Sequence, residues 1–248
     1  MKKPVSEISK WGNLAQQRFD QIESGNDITF SQVFVPFYQQ MLSKWKGMNL
    51  LEIGCGTGHL ARSLLEWGFQ LSAIEPASEM FSLAIRNLKD TNCKVFNATM
   101  EDFNVNQRFD ICMAHLCVNS VRNVSQFFKC VSEILDKAGK FIFAIPHPCF
   151  WNDSEAWIDT KVFDYVKEIY SENNKLKLTL SGQELEGVPY FHRPLGFYFS
   201  ELKNAGFCIT DFFEIMPPEH LVATYGAKWK KPRFCVFLAQ KIIEVQEK

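Results

Sequence analysis

Between Leu50 and Leu60 the chain reads as an apolar strand that runs into three glycines and then a helix: Leu50-Leu51-Glu52-Ile53-Gly54-Cys55-Gly56-Thr57-Gly58-His59-Leu60. Glycine is needed where the backbone turns sharply at positive φ, or where its amides must approach a ligand more closely than a Cβ would allow. A helix opening near Gly58 offers free amides and the positive end of its dipole, a combination that favours an anionic group such as a carboxylate or phosphate. A second apolar strand, Gln70-Leu71-Ser72-Ala73-Ile74, ends at Glu75, where a carboxylate can accept hydrogen bonds from both hydroxyls of a ribose. Strand, glycine turn, helix and acid together describe a nucleotide-type cofactor site. The spacing disfavours two familiar versions of it. A dinucleotide fingerprint wants a glycine where His59 stands, and a P-loop needs Gly-Lys-Ser/Thr, which is absent.

From this turn onward apolar strands alternate with amphipathic helices. Helices are expected over residues 59–67, 78–88, 124–135 and 197–204, the last stopped by Ala205-Gly206. Strands are expected at 93–98, 109–115 and 140–145, which gives a parallel sheet covered by helices. Two further β-rich segments, 207–215 and 233–243, are joined by a connection with Pro217-Pro218 and little helical character, so the final strand is expected to be antiparallel.

The formal net charge is -1, which gives no general attraction to nucleic acid or an anionic membrane. The run Lys228-Trp229-Lys230-Lys231-Pro232-Arg233 is the one basic cluster, read as a solvated loop. Eight cysteines are scattered without a Cys-x-x-Cys pair and fall in apolar segments, as expected for buried thiols in a reducing compartment; no metal site is expected. Polar sequence follows Met1-Lys2-Lys3-Pro4 and no long apolar run occurs, so neither a secretory signal nor a membrane span is expected, and the location expected is cytoplasmic.

The segment Glu52-Ile53-Gly54-Cys55-Gly56-Thr57-Gly58 resembles motif I of the class I S-adenosylmethionine-dependent methyltransferases: an acid, a variable apolar residue, then Gly-x-Gly-x-Gly. The resemblance covers roughly residues 48–148 and 196–243. It implies a Rossmann-like α/β sheet of seven strands with the last strand antiparallel. It also implies S-adenosyl-L-methionine as cofactor and S-adenosyl-L-homocysteine as product. The cofactor-binding residues it implies are Glu52, Gly54, Cys55, Gly56 and Gly58 at the turn, Glu75 and Pro76 beside the ribose, and Met100 with Glu101 or Asp102 flanking the adenine. His115, ending the fourth strand, completes the set. Two segments depart from the family's pattern. Thr99 stands where an aspartate commonly ends the third strand, and Leu135-Asp136-Lys137-Ala138-Gly139-Lys140 only partly matches the usual Leu-Lys-Pro-Gly-Gly turn.

What surrounds this core divides the chain into an N-terminal helical cap (1–46), a cofactor-binding core (47–147), an insertion after strand five (148–195) and the remainder of the core (196–248). The cap carries many aromatics, expected on two helices. The insertion begins at the carboxyl end of strand five, where ligands of open α/β sheets bind, and is read as a lid containing an alternating strand at 175–180 and a hairpin turn at Asn173-Asn174. Such a lid suits a small, partly apolar acceptor. His147, at the hinge of the lid, and His192, at its return, are the candidate general bases, since imidazole titrates near neutral pH. Arg193 or Arg18 is the candidate partner for a substrate carboxylate. Ala114-His115-Leu116-Cys117 occupies the place where amino-methylating nucleic-acid enzymes often carry Asp/Asn-Pro-Pro-Tyr/Phe. The reading is therefore methyl transfer to an O or N atom of a small molecule. The alternatives are a tRNA-base or protein methyltransferase, a cofactor-binding protein without catalysis, and a dehydrogenase.

Overall fold

The structure, a computed structural model, describes residues 6–155, 157–178, 180–225 and 229–242. The expectations for Met1-Lys2-Lys3-Pro4, for Thr179 of the lid strand, for Lys228 and for residue 243 lie outside the described residues.

Among these residues the strands are β1 (Asn49–Ile53), β2 (Gln70–Ile74), β3 (Lys94–Phe96), β4 (Phe109–His115), β5 (Leu135–Pro146), β6 (Ile169–Lys177), β7 (Glu184–His192), β8 (Phe207–Ile215) and β9 (Phe234–Lys241). Seven of them make one sheet in the order β3-β2-β1-β4-β5-β9-β8, while β6 and β7 pair separately. The first five strands of the sheet run parallel; β9 is antiparallel to both neighbours, as expected for the final strand.

Alternation along the strands explains the two-sided core. Leu50, Ile111, Met113, Ile142, Ala144, Val236 and Leu238 face one layer, which includes helix α4 (His59–Glu66). Leu51, Ile53, Cys112, Ala114, Phe141, Phe143 and Phe237 face the other, against α6 (Val124–Ile134) and α8 (Leu195–Asn204). Helix α5 (Ser78–Asn87) follows β2 and lies against α4. The turn into β5 departs from a simple loop: Ala138 takes φ 56 and the β4–β5 register shifts there, so strand pairing already begins at Leu135.

Outside the sheet the expected elements needed correction. The N-terminal cap is not two helices. It comprises α1 (Glu7–Asn13), α2 (Ala15–Glu23), a π-turn over Thr29–Phe34, α3 (Val35–Leu42) and a short 3-10 turn. Pro36 near the start of α3 lacks the N–H that would continue regular helix bonding, and the wider turn before it points Phe30, Val33 and Phe34 inward. In the insertion, α7 (Trp151–Glu155) precedes the hairpin. Asn174 is not a turn residue but a buried bulge in β6, its amide bonded to the Val188 carbonyl at 2.8 Å. The turn falls instead between Leu178 and Gln183, closed by a bond between their backbones and by Gly182 at φ 67. The Pro217-Pro218 connection does contain a helix, α9 (Glu219–Tyr225), which buries Leu221 and Tyr225. Hydrophobic burial gave this short segment helical order that its two prolines conceal in the sequence.

The cap and the inserted hairpin meet over the carboxyl ends of the parallel strands. Trp11 Nε1 donates to Ser120 Oγ at 3.1 Å, and Ser120 Oγ donates to the Pro189 carbonyl at 3.1 Å. Gln17 reaches the Glu184 carbonyl at 2.7 Å, and Lys10 donates to Tyr170 and pairs with Glu172. Leu14 packs on Leu185 and Val188.

Candidate functional site

Under this roof lies a cleft of 460 Å³, floored by the ends of β1, β2, β4 and β5. One half is built from backbone. Gly54, Gly56 and Gly58 all take positive φ, at 68, 55 and 81, but for different reasons. A Cβ on Gly54 would strike the Cys117 side chain at 2.8 Å, and one on Gly58 would press on Leu88 and the Ala84 backbone of α5. At Gly56 nothing stands within 4 Å, so a side chain there would enter the open cleft. Gly54 and Gly58 let the turn fold; Gly56 leaves room for a ligand.

Glu75 ties this turn to the next strand. Its two oxygens accept from the N–H of Gly56 at 2.8 Å and of Ala77 at 2.9 Å. A carboxylate has about four lone-pair sites, so two remain for a diol. Burial raises its pKa while the two backbone N–H groups oppose that shift. Glu52, at the end of β1, is buried, and its Oε2 has no hydrogen-bond partner. Burial, with the charge of Glu75 nearby, raises its pKa to about 8, so at neutral pH it carries a proton. A buried polar atom without a partner is costly, and a cationic group in the cleft would supply one. The open space at Gly56, the diol-ready Glu75 and the orphaned Glu52 oxygen together fit a nucleoside cofactor bearing an amino group.

The other half of the cleft is built from side chains. Its walls are Trp11, Phe30, Trp151, Trp157, Val188 and Phe234. Four of its polar groups come from four separate elements. Arg18 on α2 is held by Asp27 at 2.6 Å through Nη1. His115 ends β4, its Nδ1 3.0 Å from the hydroxyl of Tyr38. Asn119 Oδ1 and Trp151 Nε1 are buried and without partners. Burial, reinforced by Arg18, lowers the pKa of His115 to about 3, so its ring is neutral. Between β4 and Asn119 the chain turns at Leu116, which takes φ 51, an uncommon conformation for a leucine, and this turn carries Cys117 and Asn119 into the cleft.

Of the residues singled out in the sequence, Glu52, Gly54, Cys55, Gly56, Glu75, Pro76, Met100, Glu101 and His115 line the cleft, as do Thr99 and Arg18. Gly58 is not in the lining; it shapes the turn against α5. Asp102 is turned away, accepting from the Thr99 hydroxyl at 2.8 Å. Neither histidine proposed as a base faces the cleft. His147 is buried with Nε2 3.1 Å from Glu214 on β8, and its Nδ1 accepts from the Cys149 N–H. Burial lowers its pKa, partly offset by Glu214. His192 is buried with Nε2 donating to the Tyr165 carbonyl at 2.9 Å, and burial lowers its pKa as well. Arg193 is fully enclosed, bonded to Glu168 and to the Arg122 carbonyl. Each was chosen for lying near a strand end or the edge of the insertion, a criterion that says where the backbone goes and not where the side chain points. The basic cluster is likewise not a solvated loop throughout: Trp229 is buried and Arg233 lies over the rings of Trp151 and Trp229, its pKa lowered by burial to about 10. Asn119 was missed, and no sequence signal marks it.

Among the described residues no group of three or more His, Cys, Asp and Glu is arranged to hold a metal, and no helix is long and apolar enough to cross a membrane.

Residues 51–143 match the family profile described as a methyltransferase domain. Over these residues the chain is similar to that methyltransferase domain. Curated relatives include an uncharacterized methyltransferase of Bacillus cereus, 32% identical over 136 residues that make up 51% of this chain and 61% of the relative. The chain thus spans less than two thirds of the length of the curated relatives it matches. Among solved structures, an S-adenosylmethionine-dependent methyltransferase from Mesorhizobium loti is similar with TM-score 0.66 and 22% identity, over 83% of this chain and 96% of that one. A 1,6-didemethyltoxoflavin-N1-methyltransferase from Burkholderia thailandensis, solved with that compound and S-adenosylhomocysteine, is similar with TM-score 0.60 and 14% identity, over 98% of this chain and 94% of that one. The domain's fold is therefore the Rossmann-like sheet of this class.

Proposed function

We propose that the protein is an S-adenosylmethionine-dependent methyltransferase that acts on a small molecule. The observation that carries this reading is the continuity of the cleft: a backbone-built nucleoside half opens directly into an aromatic, side-chain-built half roofed by cap and hairpin. When bound, S-adenosylmethionine supplies an electrophilic methyl on a sulfonium, with the leaving group already in place. The protein's residues have the remaining tasks. Glu75 would accept the ribose hydroxyls, Glu52 would meet the amino group, and the Gly56 turn would admit the chain between them. Met100 and Glu101 would flank the adenine. The aromatic walls exclude water and orient the acceptor for in-line attack, and such alignment supplies most of the rate enhancement that this chemistry needs.

A roofed chamber suits a small acceptor better than a polymer, which would need an open groove. The structurally similar Burkholderia thailandensis enzyme, solved with 1,6-didemethyltoxoflavin bound, is consistent with this, but that compound belongs to that enzyme. The test is thermal: S-adenosylhomocysteine should raise the melting temperature and NAD should not, because a ligand that binds only the native state stabilises it, by about 2.7 kcal/mol at a hundred times its Kd. An unchanged melting curve at saturating S-adenosylhomocysteine would sink the reading. Hydrogen exchange should also slow across 150–192 when cofactor and acceptor bind together, since segments over a site's mouth open more readily than the core.

A further inference from the structure

The acceptor half of the cleft is rich in donors. Arg18 is a guanidinium whose Nη1 faces Asp27, while Nε and Nη2 make no hydrogen bond with any described residue. Trp151 presents an unpartnered indole N–H. The third donor follows from the surroundings of His115. Tyr38 is fully buried and its hydroxyl has His115 Nδ1 as its hydrogen-bond partner. Burial keeps that hydroxyl protonated, and a buried O–H without an acceptor is costly, so Tyr38 donates to Nδ1. The ring proton then sits on Nε2, which has no hydrogen-bond partner among the described residues. Against these donors the chamber offers, among the described residues, the orphaned acceptor Asn119 Oδ1.

Among the described residues the same chamber has no base that is not already engaged. His115 is neutral with its proton on Nε2, and the groups facing it are Arg18, Asp27 and Tyr38. His59 is held between Thr57 and Glu23, and Glu7 is paired with Arg122. Glu52 and Glu75 belong to the cofactor half. Asp27 is engaged by Arg18 and by the Phe30 N–H, so a hydroxyl that had to lose its proton during the reaction would find no unengaged base here among the described residues.

We infer that the acceptor is a planar molecule bound as an oxyanion, a phenolate, enolate or carboxylate, gripped by Arg18, His115 Nε2–H and Trp151 Nε1–H, and methylated on that oxygen without a base. This rests on the methyltransferase reading above. A lone pair of the anionic oxygen forms the O–CH3 bond as the S–CH3 bond breaks with its electrons left on sulfur. The negative charge of the acceptor and the positive charge of the sulfonium cancel, and no proton moves. The flat walls formed by Trp11, Phe30 and Trp157 hold a ring, and Asn119 Oδ1 accepts from an O–H or N–H elsewhere on it.

para-Nitrophenol tests this directly, because its phenolate is yellow and its phenol is colourless. Titrated with the protein loaded with S-adenosylhomocysteine, the bound probe should ionise at a pH lower by about one unit, which corresponds to tenfold tighter binding of the anion than of the phenol. The neutral ether para-nitroanisole should bind at least about tenfold more weakly than the phenolate. Trp151→Phe keeps the ring and removes one donor, so it should reduce the shift. Arg18→Gln alone would strand Asp27 in a buried site. The double change Arg18→Gln with Asp27→Asn removes the pair together and should abolish most of the shift, with melting temperature as the check on folding. With S-adenosylmethionine, transfer should follow the ionisation of the probe, with no second titration near neutrality. The inference is overturned if the probe does not bind, if it binds without a shift, or if the neutral ether binds as well. Should S-adenosylhomocysteine bind in the wild type while the probe behaves in one of these ways, the inference fails and the methyltransferase reading stands. Should S-adenosylhomocysteine itself not bind, both fail.

Discussion

The two halves of the cleft are made of different material. The cofactor half is almost all backbone, taken from three short stretches at 52–57, 74–77 and 98–101. The acceptor half is almost all side chain, drawn from the cap, from the turn after β4, from α7, from the hairpin and from β9. Backbone can be shaped only by local conformation, so its requirements are written as glycines and acids at fixed spacings. Side-chain chambers are assembled by tertiary packing, and residues far apart in the chain meet there with no shared spacing to announce them. The first half can therefore stay constant across many acceptors, while the second is free to differ.

The largest effect that would test this contrast is at Gly56. Gly56→Val should leave the fold nearly intact, since no atom lies within 4 Å of the added Cβ, at a cost of about 1–2 kcal/mol for a side chain at positive φ. It should nonetheless weaken S-adenosylhomocysteine binding by about a hundredfold or more, measured by calorimetry. Normal binding by a folded variant would mean that the cofactor lies elsewhere. Glu75→Ala comes next, with a loss of at least about tenfold from the missing ribose contacts, since a single charge-assisted bond contributes about 1.5–3 kcal/mol. A melting curve would separate this from loosening of the Gly56 and Ala77 turn, whose amides the carboxylate also holds.

Glu52 sharpens the comparison through pH. Its pKa is raised to about 8 by burial and by Glu75, so in the free protein the neutral carboxyl prevails at pH 7. A cationic amino group beside it would restore the anion and expel the proton. Affinity should then rise with pH up to about 8, by as much as tenfold per unit, and level off above. Binding heats at pH 7 in buffers of different ionisation enthalpy should report the released proton, and Glu52→Gln should abolish the pH dependence. The free protein behaves oppositely. A carboxyl whose folded pKa is raised contributes stability that is complete below its unfolded value near 4.5 and is lost as pH rises through about 8. Heats independent of buffer would show that no ammonium meets this carboxyl.

The smallest effect is expected at His147. With its ring directed to Glu214 and away from the cleft, His147→Gln should change turnover by less than about twofold while lowering the melting temperature by about 2–4 °C for the lost buried bond. A large drop in turnover at unchanged stability would return it to the reaction.

How much of this was legible follows the same division. The parallel strands alternating with helices, the reversed β9 and the lining role of Glu52, Gly56 and Glu75 were legible in strand and helix periodicity, glycine spacing, strand-end acids and the family resemblance, whereas the strand order was not. What escaped depends on distant packing. The helix α9 forms because Leu221 and Tyr225 find a core, against the suggestion of the prolines. Asn174 looks like a turn residue but is buried as a bulge because the Val188 carbonyl needs a donor. His147 and His192 were placed correctly along the chain, yet their rings answer to Glu214 and Tyr165. His115 was expected beside the cofactor, and its bond to Tyr38, seventy-seven residues away, sets the proton on its ring.

The hydroxyl of Ser120 is claimed from both sides, by Trp11 of the cap and by the Pro189 carbonyl of the hairpin. A hydroxyl that receives one bond and gives the other makes each bond polarise its neighbour, so the two strengthen together and weaken together. Cap and hairpin are thus coupled at the turn that follows β4: a change that weakens the bond from Trp11 also weakens the bond to Pro189, and the reverse, although the chain order keeps the two segments far apart.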